Sequence, residues 1–238
     1  SERDDNARFF YVILLTRVYI HHKEALPLNN TQDLFQFLLG WLKREPIFLI
    51  QKSICTLLAL FSLTDSLLDA FSDLYQLLPD NPIGLYFLLQ FFPYLEYDHK
   101  LLISDKIMPQ ITLLLSASNP EVVDCTIELL VQLFWCQNQS FDSLQIVEPL
   151  MDLFGEVLNS NSNINPSLLF QLIKTLIQED YLPILPFRQS IEELILGVLK
   201  SLPINLKVLS FDLLGCVLSN LSSDLVTMAA ELSVELCE

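Results

Sequence analysis

The chain has 238 residues, 52% of them hydrophobic and 11% aromatic, with only five glycines: ample material for a buried core, and too little glycine for a turn-rich all-β fold. With 13 basic against 29 acidic residues the formal net charge is -16, which repels nucleic acid and anionic membrane surfaces and favours a basic partner. The mean hydropathy of +0.43 is high, yet even residues 81–95, one of the longest charge-free apolar stretches, hold two prolines and fall short of the roughly 18 to 20 residues that a membrane span needs.

In chain order, the 3.6-residue apolar period predicts about twelve helices. They lie near residues 5–23, 31–44, 46–62, 65–78, 82–95, 99–117, 120–137, 142–159, 166–178, 187–200, 204–219 and 222–237. Pro46, Pro82, Pro120, Pro166 and Pro203 stand 36, 38, 46 and 37 residues apart, each at the head of an apolar run. Proline suits the first position of a helix, where its missing N–H would have no partner, so one helix start recurs with a period of about 40. The expectation is an all-α fold: an α-solenoid of about six HEAT-like helical hairpins, a right-handed superhelix segment. It would run over residues 1–238 as a single continuous array, a fragment of a longer solenoid.

The helix from Pro120 carries the pattern most fully. Val123, Ile127, Leu130 and Phe134 form one apolar row and Val122, Leu129 and Leu133 another, while Glu121, Asp124, Glu128 and Gln132 share the remaining face. Asn119 and Asn165 precede prolines as N-cap types, and Asn30-Thr31 stands before Asp33. Residues 159–165, a polar Asn/Ser run, account for the one long proline interval and read as an insertion between hairpins. Pro109 and Pro149 fall at the start or in the early turns of second helices, where proline opens or kinks them. Because prolines mark both helices of a hairpin, HEAT and armadillo subclasses both stay open.

The chain shows no GxGxxG, Walker, GxSxG, CxxC or HExxH pattern, so neither an enzyme nor a cofactor site is expected. His21-His22 followed by Glu24 reads as imidazoles suiting a helix C-terminus rather than as a metal site, since adjacent helical residues point about 100° apart. Five cysteines, Cys55, Cys125, Cys136, Cys216 and Cys237, are scattered through apolar runs and read as buried free thiols of a reducing compartment. The Asn-x-Ser/Thr sequons at Asn29, Asn138 and Asn220 are then chance matches.

Three-residue acidic stripes keep to the second helices of the hairpins. Asp65, Asp69 and Asp73 follow i, i+4, i+8 spacing, Glu148, Asp152 and Glu156 repeat it two hairpins later, and Glu192, Glu193, Glu231 and Glu235 lie on the second helices of the last two hairpins. Like charges at that spacing disfavour an isolated helix by roughly 0.2–0.5 kcal/mol per pair. The stripes are either solvated faces or one shared inner binding surface, and these ten residues are the candidate partner-binding set.

Two segments resemble the amino-terminal HEAT-repeat portion of the karyopherin-β (importin-β/exportin) nuclear transport receptors, in particular the transportin-SR-like branch. Asn6-Ala7-Arg8-Phe9-Phe10-Tyr11-Val12-Ile13-Leu14 is similar to that family's early first helix, where an Arg-Phe-Phe run opens an apolar helix. Leu49-Ile50-Gln51-Lys52-Ser53-Ile54-Cys55-Thr56-Leu57-Leu58-Ala59-Leu60 resembles its next first helix. The likeness covers residues 6–63, and only the repeat pattern extends further. It implies a receptor of the cytoplasm and nucleus whose acidic inner helices hold the small GTPase Ran and basic cargo, with outer helices for phenylalanine-glycine nucleoporins, and no direct nucleic acid or membrane partner. Residues 1–4 lack the helix that precedes this segment in the family, and the family's later repeats do not follow, so no individual Ran contact carries over. The alternative is a HEAT-repeat scaffold or adaptor subunit of a cytosolic or nuclear complex.

Overall fold

The computed structural model describes residues 2–22, 28–61, 64–78, 81–134, 146–159, 163–178 and 182–218, and every regular element among them is helical. The helices are α1 (Glu2–His22), α2 (Leu28–Leu42), α3 (Phe48–Ala59), α4 (Thr64–Tyr75), α5 (Ile83–Phe91), α6 (Tyr97–Ile107), α7 (Ile111–Leu115), α8 (Pro120–Phe134), α9 (Val147–Leu158), α10 (Pro166–Gln178), α11 (Arg188–Val198) and α12 (Ile204–Leu218). The helix expected over residues 222–237 lies outside the described residues, as do Cys136 and Cys237.

The starts follow from local chemistry. Pro120 and Pro166 are the first residues of α8 and α10, and the Oδ1 atoms of Asn119 and Asn165 accept the backbone N–H groups of Glu121 at 3.0 Å and Ser167 at 3.1 Å. Asn81 does the same for Ile83 at 2.9 Å, beside Pro82. Pro46 and Pro203 stand just outside the helices they precede. The single helix expected over 99–117 is broken: α6 ends at Ile107, a 3₁₀ turn covers Met108–Gln110, and α7 follows. Pro109 is the cause, because it has no N–H for the carbonyl of Asp105 and its ring crowds that carbonyl. Prolines mark two further 3₁₀ turns, Phe92–Tyr94 and Leu182–Phe187.

The chain divides into two compact units, Ser1–Ile107 and Met108–Glu238. In the first, α1 packs on α3 and α3 on α5, while α2 packs on α3 and α4 on α5. Val12, Phe35, Leu38, Ile54, Leu58, Phe71, Leu74, Phe87 and Leu88 form its core, and Tyr19 stacks on Phe61 with ring centroids 4.4 Å apart. Polar ties join segments 30 to 34 residues apart: Gln32 to Ser66, Lys43 to Asp73, Thr56 to Gln90 and Lys106 to Ser72. Gly84 lets α5 approach the end of α4, since a Cβ there would lie 2.8 Å from the carbonyl oxygen of Leu74.

In the second unit α8 packs on α10 and α10 on α12, while α7 packs on α9 and α9 on α11. The rows read on the helix from Pro120 hold: Val122, Val123, Ile127, Leu129, Leu130, Leu133 and Phe134 are all buried, and Glu121 and Glu128 are exposed. Phe154 of α9 meets Phe170 of α10 edge-on at 5.1 Å. Lys174 of α10 pairs with Asp212 of α12 at 2.6 Å, and that hydrogen bond raises the lysine's pKa above its ordinary value. Cys55, Cys125 and Cys216 form no disulfide; the first two are buried and Cys216 is half-buried, its sulfur accepting from Gln178 Nε2 at 3.6 Å. Of the expected insertion loop, residues 160–162 lie outside the described set; Asn159, Asn163 and Asn165 are exposed, but Ile164 is buried.

Candidate functional site

The acidic residues on α9 line a groove in the second unit. Glu148, Asp152 and Glu156 are all exposed and stand one helical turn apart along one wall. The opposite rim is the turn from α7 into α8, with Ser116, Ala117, Ser118 and Pro120. Leu115, Val123 and Ile164, all buried, supply apolar floor, and Asn163 closes one end. The cavity measures about 530 Å³. None of the three carboxylates makes an ion pair or side-chain hydrogen bond among the described residues, so the wall offers six acceptor oxygens to solvent or to a ligand.

Elsewhere the sequence-derived set is placed differently. Asp69 and Asp73 of α4 are exposed, and Asp73 accepts from Lys43 Nζ at 2.8 Å, so part of that stripe is already neutralised within the first unit. Asp65 lies in the first turn of α4, its side chain outside the described residues. On α11, Glu193 is exposed and accepts from Gln189 Nε2 at 2.9 Å, whereas Glu192 is buried at 7% exposure and takes no part in a solvent-facing stripe. Glu231 and Glu235 lie outside the described residues.

Sequence reasoning overlooked a second polar cluster, between α1, α2 and the start of α3. Glu45 is buried at 3% exposure. Its Oε2 accepts from Arg8 Nη1 at 3.0 Å and from the Trp41 indole at 2.9 Å, and its Oε1 from the backbone N–H of Ile47 at 3.2 Å. Gln51 Nε2 donates to the Glu45 carbonyl at 2.7 Å, and Arg8 also donates to Asp5. The hydrogen bond to Asp5 and the nearby carboxylates raise the pKa of Arg8 above its ordinary value. Only the i, i+4 spacing of Trp41 and Glu45 was visible in the sequence; Arg8 is 37 residues from Glu45.

Among the described residues no group of three or more His, Cys, Asp or Glu side chains could hold a metal ion, and no helix is long and apolar enough to cross a membrane. Glu24, weighed beside His21 and His22 as a metal ligand, lies outside the described residues. Compared with known proteins, the chain matches no family model, no curated protein and no solved structure.

Proposed function

We propose that the chain is a segment of an α-solenoid of HEAT-like hairpins that binds basic protein ligands in the groove of α9, and that it serves a nuclear transport receptor of the karyopherin-β type, taking basic cargo and Ran. The observation that carries this reading is the groove itself: three unpaired carboxylates on one wall above an apolar floor. Such a surface suits lysine and arginine side chains, whose methylene stems lie along Val123 and Ile164 while their charged heads meet the carboxylates. The packing of alternate helices within each unit, α1 on α3 on α5 and α8 on α10 on α12, supports stacked hairpins, in which each repeat buries its apolar faces against its neighbours.

The test is fluorescence anisotropy with a lysine-rich peptide at low salt, using the wild-type chain and the triple variant Glu148→Lys/Asp152→Lys/Glu156→Lys. The wild type binds, and the triple reversal weakens binding by roughly tenfold or more, chiefly through slower association. The difference shrinks in 1 M salt, where the Debye length is about 3 Å. Equal binding by both proteins sinks the groove reading. Capture of GTP-loaded in preference to GDP-loaded Ran supports the transport receptor; peptide binding with no Ran preference moves the chain to the scaffold or adaptor class.

A further inference from the structure

We draw no further inference here: the strongest candidate, the aromatic groove between α1 and α2 lined by Tyr11, Phe37 and Trp41, carries nothing, because its Arg8 is already paired with Asp5 and Glu45 and nothing in the structure shows what covers it.

Discussion

At the scale of single residues the most constrained group is the Glu45 carboxylate, which serves three donors from α1, α2 and the start of α3 while its side chain is shut away from water. Glu45→Ala leaves the half-buried Trp41 indole and Ile47 amide without their acceptor, and each hydrogen bond to the charged carboxylate so lost is worth about 1–3 kcal/mol. Chemical denaturation should therefore show a loss of at least that size, while Glu193→Ala, on the exposed face of α11, stays within about 0.5 kcal/mol of the wild type. A glutamate between Arg44 and Pro46 reads as one more surface charge, because sequence periodicity assigns polarity to solvent by default. Glu192 misled for the same reason. Which carboxylates turn inward depends on donors arriving from other helices, and Arg8 arrives from 37 residues away.

At the scale of elements, helix starts were legible because they are local. Asn119-Pro120 and Asn165-Pro166 declare themselves through one side-chain oxygen and one ring, and the two apolar rows of α8 came directly from the 3.6-residue period. The break at Met108–Gln110 was legible in kind, since Pro109 was marked, but not in degree, because whether proline bends or interrupts a helix depends on how the flanking turns pack. Close approach between elements left no such mark. Gly84→Ala sets a methyl carbon 2.8 Å from the Leu74 carbonyl oxygen, so α5 must shift away from α4. Backbone does not yield as a flexible side chain would, and a loss of about 1–3 kcal/mol in thermal or chemical denaturation is expected. Gly155→Ala, where a methyl group would meet nothing within 4 Å, removes a helix-interior glycine and should be neutral or slightly stabilising.

At the scale of the whole molecule, charge and burial set the response to pH. Burial raises the pKa of Tyr19 and of Tyr75 above the ordinary 10.0, and the Tyr75 hydroxyl donates to the Lys106 carbonyl at 3.4 Å. The folded state thus holds these protons more tightly than the unfolded chain. Their stabilising contribution is complete below pH 10 or so and is lost as pH rises through the folded values. A denaturation series across alkaline pH should show stability falling, and Tyr75→Phe should fall less steeply because one of the two tyrosines no longer titrates. An equal slope in both proteins contradicts this. The groove on α9 was half legible at this scale: its acidic wall is a spacing within one helix, but its rim at Ser116 to Pro120 and its floor at Ile164 come from segments that only packing brings together.

Three polar ties in the first unit that join residues 34 positions apart constrain how this part of the chain can change length. Gln32 to Ser66, Thr56 to Gln90 and Ser72 to Lys106 each span 34 residues. Deleting one residue inside α4 turns everything on its far side by about 100° and draws it 1.5 Å along the axis, so Ser72 no longer meets Lys106 and the apolar row of that helix no longer meets its neighbours. If the proposed hairpin repeat holds, removing a whole hairpin of about 34 residues would restore these phases together, so length would change in complete repeats or in the connections.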